Sequence, residues 1–325
     1  MNDLLIGLLA ALVTTNVPVN ASNVVKSATG ISLPVTDPND PVEREYRKLL
    51  DDDDTAEGEV DHWIRENQAF KDKGAGLPRE TLNGRIQARF APVAQEYKEF
   101  LQRHPEHVRA LLAYGSFLND TGDEEAGVEQ WEKARQLDPQ NPATWNNLAN
   151  YYGHRGPIKK AFEYYATAIR LNPNASVYYQ NFATSVFLFR KDAMEFYDID
   201  EQRVFDRALD LYQHALKLDP QNFALATDVA QTYYGIKPSR TKEALEAWNY
   251  ALKVASEPVE REGIYLHLAR VELNSGMLTE AHRHLDRVTN SLYADTKNRL
   301  IRNLTKKESG GAETNAPPVE ALKKP

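Results

Sequence analysis

The sequence predicts an all-α fold, an α-solenoid of stacked helical hairpins, and three observations carry that reading. Proline closes helical segments as Leu137-Asp138-Pro139, Leu171-Asn172-Pro173 and Leu218-Asp219-Pro220, and the first two prolines stand 34 residues apart. An alanine precedes each proline by five residues (Ala134, Ala168, Ala215) and a large aromatic by eight (Trp131, Tyr165, Tyr212). The 325 residues are 42% hydrophobic and include no cysteine, so the chain buries a core without disulfides. Self-similarity at a fixed period of this length marks a row of supersecondary units, each burying its apolar face on the next.

At the N-terminus, Leu4 to Val13 is the longest apolar stretch, about half of the roughly 20 residues a membrane-spanning helix needs, so no membrane span is expected. Followed by Val19-Asn20-Ala21 it has the outline of a signal peptide over 1–21, but Asp3 and the absence of Lys or Arg before it argue against one. Leu5, Leu8, Leu9 and Leu12 equally form one stripe of a helix. The balance favours the cytoplasm over export to the periplasm. Residues 1–41 are thus an apolar segment and linker ending in Asp37-Pro38-Asn39-Asp40-Pro41.

Residues 42–73 form a helical extension. Pro41 suits a first helical position with Asp40 as cap, and the run Asp51 to Asp54 is expected to break this helix and cap a second one carrying Val60, Trp63, Ile64 and Phe70. As a calcium loop the run fails, because counting from Asp53 puts Ile64 where the bidentate Glu belongs.

The repeat array is expected over 74–304. A degenerate unit starts near Gly74 and ends at His104-Pro105, one interval of 34 before Pro139. Repeat one has Tyr114-Gly115, Leu118, Trp131 and Ala134, and repeat two has Trp145, Leu148-Ala149, Tyr152, Ala161, Tyr165 and Ala168. Repeat three pairs Tyr179, Phe182, Ala183 and Val186 with Ala208, Tyr212 and Ala215. Its closing proline comes 47 residues after the previous one, so an insert lies near 189–202. The insert region is rich in Phe187, Phe189, Met194, Phe196 and Tyr197, which fits either a projecting binding element or a segment folded on its own hairpin. Repeat four has Val229-Ala230, Tyr233, Ala244, Trp248 and Ala251, with extra residues around Gly235 to Pro238 and Pro258 as a displaced closing proline. Repeat five runs from about Glu262 with Tyr265, Leu268-Ala269, Gly276, Ala281 and Leu285, and a polar helix to Leu304 serves as terminal cap. Residues 305–325, rich in Gly, Pro, Glu and Lys, read as a disordered tail.

These positions resemble the tetratricopeptide repeat (TPR), the 34-residue hairpin with W-x₂-L-G-x₂-Y, then A-x₃-F, then P. The resemblance covers about Gly74 to Leu304 and implies a right-handed α-solenoid of about five TPR hairpins, one degenerate N-terminal repeat and a capping helix. It also implies a concave surface lined by positions two, five, six, nine and twelve of each first helix. Placed on this chain, those positions put Asn146, Asn147, Asn150, Gln180, Asn181, Thr184, Thr227, Asp228, Gln231 and Arg270 on the groove. Amides donate and accept at once, which suits an extended peptide backbone. The alternative for the same residues is that they cross-link adjacent hairpins or meet water. The family's carboxylate clamp needs Lys and Arg here, and only Arg109 and Arg270 are placed to serve.

Catalytic and metal-binding patterns are absent. His104-Pro-Glu-His107 lies in a turn with no third ligand, His282 and His284 point apart on a helix, and no H-E-x-x-H, G-x-S-x-G or P-loop sequence occurs. With 39 Lys plus Arg against 47 Asp plus Glu, a net charge of −8 and no basic block, nucleic acid is not an expected partner. The expectation is a non-enzymatic, cofactor-free scaffold that binds an extended protein or peptide partner in its groove. The alternative is an assembly subunit that self-associates, or docks on a cell-envelope complex, through its N-terminal segment and convex face.

Overall fold

A computed structural model describes residues 40–71 and 74–313, with side chains through 309. The apolar segment and signal-peptide candidate of 1–39, and residues 314–325, lie outside the described residues. The chain divides into two compact units at Leu218 and Asp219, each considered by itself. Among the described residues every regular element is helical, and no helix is long and apolar enough to cross a membrane.

In the first unit, α1 (Pro41–Lys71) pairs with α2 (Arg79–Arg103), α3 (Val108–Asp120) with α4 (Glu124–Leu137), and α5 (Pro142–Arg155) with α6 (Ile158–Leu171). Then α7 (Ser176–Leu188) pairs with α9 (Glu201–Leu218) across the short α8 (Arg190–Tyr197). Local signals start these helices: Asp123 accepts from Ala126 N at 3.3 Å, and Asn141 accepts from Ala143 N at 3.1 Å with Pro142 in the first turn. The small-residue positions permit close approach. A Cβ on Gly115 would overlap the Trp131 indole, whose Nε1 donates to Leu112 O at 3.2 Å.

Three expectations change, and one choice left open between two readings is made. The acidic run does not break the first helix: α1 is continuous for 31 residues, because Tyr46, Leu49, Ala56 and Val60 bury one stripe on α2 and α3 while Asp51 and Asp54 stay exposed. The degenerate repeat has no separate first helix after Gly74. Residues 79–103 form one helix through Pro92, and its hairpin partner is α1, so the boundary at 73/74 falls in the turn inside that hairpin. Asn67 holds this turn, its Oδ1 accepting from Leu77 N at 2.6 Å. The insert folds on its own hairpin and on α6: Phe196 and Tyr197 lie 5.5 and 6.1 Å from Phe162, and Ala193 is fully buried. Its aromatics are half-buried and pack against the cluster that holds Phe162 and Val186, which removes apolar surface from water.

The second unit pairs α10 (Phe223–Thr232) with α11 (Thr241–Val254) and α12 (Pro258–Asn274) with α13 (Leu278–Asp286), and α14 (Ala294–Glu313) packs on both members of the last pair. Pro258 is the first residue of α12, inside a capping box in which Glu257 and Glu260 bond each other's backbone. Leu300 and Leu304 seal the core formed with Leu266, Leu273 and Leu285. The third change is at the end of the chain, where α14 runs on to Glu313. The tail expected to be disordered from 305 is therefore helical through 313, fastened where Lys307 Nζ donates to Leu273 O at 2.8 Å.

Candidate functional site

In the first unit the residues expected on the groove lie on the first helices of successive hairpins, α5 and α7. They divide by burial. Asn146 is fully buried and Asn147 is 6% exposed, whereas Asn150, Gln180, Asn181 and Thr184 are half-buried. Asn181 Nδ2 donates to Asn146 Oδ1 at 3.0 Å, 35 residues away, so this pair ties α5 to α7. Asn146 thus acts as the cross-link that the alternative sequence reading anticipated, because a buried carboxamide must satisfy its groups inside the protein.

Position nine repeats one device in two hairpins. Tyr165 OH donates to Asn150 Oδ1 at 2.7 Å, and Tyr212 OH shares a 2.7 Å hydrogen bond with Thr184 Oγ1, which also donates to Gln180 O at 3.0 Å. Both tyrosines are buried, and burial holds the Tyr165 hydroxyl far above its ordinary range, so it remains a protonated donor. Each bond fixes a half-exposed polar group in one orientation on the surface. Sequence reasoning placed Tyr165 and Tyr212 only as the large aromatic eight residues before each closing proline. The signal for a further role was the phenol itself, since Trp131 and Trp248 fill the same position without a hydroxyl.

Arg109, one of two clamp candidates, is not available. Its Nη2 donates to both oxygens of Glu43 on α1 at 3.1 and 3.0 Å, and the two side chains are 14% and 5% exposed. The guanidinium also stacks 4.6 Å from the Tyr46 ring, and burial pushes the Tyr46 hydroxyl up to about 12. His107 caps α3 through Nδ1 to Ala110 N, while His282 and His284 meet different carboxylates, Glu308 and Glu272.

In the second unit, Thr227 and Asp228 are half-buried on α10, Gln231 is exposed, and Arg270 lies on α12 with its guanidinium 5.6 Å from the Tyr234 ring. Thr227 Oγ1 turns back to Ala224 O at 2.7 Å. Beside them His267 stacks on Trp248 at 4.1 Å and bonds Tyr234 OH through Nδ1 at 3.0 Å. Burial, aided by the Arg270 charge, lowers His267 to about 4, so His267 is neutral near pH 7.

Stacked hairpins with fixed polar groups on their first helices define a helical-repeat protein. A family model described as TmcB, TPR repeats matches residues 80–143, and one described as tetratricopeptide repeat matches 142–175. Residues 80–175 thus carry tetratricopeptide repeats, and proteins with such repeats are in general scaffolds for protein–protein interaction. The chain is similar to RNA polymerase-associated protein CTR9 of Caenorhabditis elegans, 24% identical over 211 residues that make 59% of this chain and 18% of that one. It is also similar to the photosystem I assembly protein Ycf3 of Acaryochloris marina, 30% identical over 79 residues, 24% of this chain and 48% of that one. The chain thus spans less than half the length of these two curated relatives. Among solved structures, PilW, described as a widely conserved type IV pilus biogenesis factor, shares the fold with TM-score 0.50 and 12% identity over 74% of this chain and 98% of that one.

Proposed function

We propose that the chain is a non-catalytic scaffold whose first unit binds an extended segment of a partner protein across α5 and α7, along Asn147, Asn150, Gln180, Asn181 and Thr184. The observation that carries this reading is the repeated position-nine device. Tyr165 and Tyr212 pre-orient a carboxamide and a hydroxyl one hairpin apart, so a peptide backbone meets groups that are already ordered. Side chains of this kind pair with an uncharged peptide group without the desolvation cost of a charge. Thr227, Asp228, Gln231 and Arg270 form the corresponding first-helix face of the second unit, proposed as a separate contact surface of the same kind.

Because Asn146, Asn150 and Asn181 also hold the hairpins together, alanine replacement confounds binding with stability. Site-specific photocrosslinking avoids this. A benzophenone amino acid at Gln180 in the full chain should cross-link a partner, and one at exposed Glu163 on α6 should not. Capture from Glu163 alone would refute the first-helix face as the working surface.

A further inference from the structure

Outside that face, the first unit has a groove of about 470 Å³ between α2 and α4, floored by α3. Leu101, Leu118 and Ala126 give it an apolar base. Tyr114 stands in the same groove and is only 5% exposed, its ring stacked on Tyr97 at 5.0 Å. Its hydroxyl makes no hydrogen bond among the described residues and is not sealed from solvent, so a buried tyrosine presents an unused donor to the groove. Burial and the nearby Asp123 charge keep that hydroxyl protonated. The walls add one carboxamide each, Gln102 and Gln130, and one charge each, Lys98 and Asp123.

An apolar floor with a few convergent polar groups is the usual composition of a binding site, and the size falls in the ordinary range for one. The balanced charge disfavours a polyanion, and amides on opposite walls match both faces of a peptide group.

We propose that this groove is a second binding site, for an extended partner segment that seats one large apolar side chain over Leu101, Leu118 and Ala126, with a basic residue flanking it toward Asp123. The partner's carbonyl accepts from the Tyr114 hydroxyl, and Gln102 and Gln130 bond its peptide groups. This site is independent of the α5–α7 face, and its test separates the two.

The probe is a displayed library of random 12-residue peptides, selected on the full chain. Selected sequences are then titrated calorimetrically against the parent and four variants. Tyr114→Phe keeps the ring stack and removes only the hydroxyl, Asp123→Asn keeps the helix cap and removes the charge, and Ala126→Glu places a carboxylate on the floor. Asn150→Ala, used only with its thermal midpoint and helical signal shown to be parental, reports on the other face. The expected result is a class of peptides with an apolar residue beside Lys or Arg. Their binding weakens about tenfold with Tyr114→Phe, is lost with Ala126→Glu, loses salt dependence with Asp123→Asn and ignores Asn150→Ala. If no selected peptide responds to Tyr114→Phe or Ala126→Glu while both variants keep the parental helical signal, the second site is wrong. Peptides that respond only to Asn150→Ala would leave the α5–α7 reading standing and still overturn this one.

Discussion

Replacing Asp53 with asparagine should make the α1–α2 hairpin more stable at pH 8 and leave it unchanged at pH 4. Asp53 Oδ2 accepts from Tyr97 OH at 2.6 Å, while Oδ1 is buried with no partner. Burial, joined by the charges of Asp54 and Asp120 and opposed by the Tyr97 bond, raises this carboxyl from its ordinary 3.8 to about 6. The folded protein therefore holds the proton more tightly than the unfolded chain. The stability linked to it is fully present below pH 3.8, falls as pH rises through 6, and is gone by pH 8. A displacement of that size corresponds to about 3 kcal/mol, and partial exposure of the side chain reduces the expected gain to about 1–2 kcal/mol. Asparagine keeps the acceptor for Tyr97 and removes the ionisation. Amide hydrogen exchange of α1 read by mass spectrometry, parent against Asp53→Asn, measures the opening free energy of this hairpin directly. The gain should grow between pH 4 and 6 and then level off. Equal protection at every pH, or a loss that does not vary with pH, would show that ionisation of Asp53 is not the controlling term.

Two further changes probe buried polar groups in the first unit. Glu43→Gln keeps the shape but leaves the buried Arg109 guanidinium without its carboxylate, so the urea midpoint should fall by an amount equivalent to about 1–3 kcal/mol, and an unchanged midpoint would mean that the pair contributes nothing net. Thr144 is fully buried and its hydroxyl has no partner, so the isosteric Thr144→Val should raise stability by about 1 kcal/mol in the same assay, whereas a loss would reveal an ordered water at that hydroxyl.

What was legible in the sequence follows from which interactions are local. The alanines and aromatics before Pro139, Pro173 and Pro220 lie within one or two turns of each other, and they settle into the interior of α4, α6 and α9 as their spacing requires: Ala134, Ala168 and Ala215 are fully buried. The caps at Asp123, Asn141 and Asn222 are equally local, since each bonds a backbone group two or three residues on, although the sequence reading singled out none of them. The acidic run misled because local propensity is weak. Its cost to the helix is a few tenths of a kcal/mol per residue, and burial of Tyr46 and Leu49 outweighs it.

The groove residues mark the limit of such reading. Helical period alone places Asn146 and Asn150 on one face of α5, yet it does not say that Asn146 is sealed against Asn181 while Asn150 remains half-exposed on the Tyr165 hydroxyl. Arg109 has the chemistry of an anion site, and it is consumed by Glu43, 66 residues earlier. The insert aromatics allowed two readings, and contact with Phe162 of the preceding hairpin selected one. By itself, then, the sequence determined that this chain folds as a row of helical hairpins, because periodicity and capping act within a hairpin. Only the tertiary structure decided which polar groups remain to meet a partner, because each is spent or spared by residues that the stacking of hairpins brings from 15 to 66 positions away.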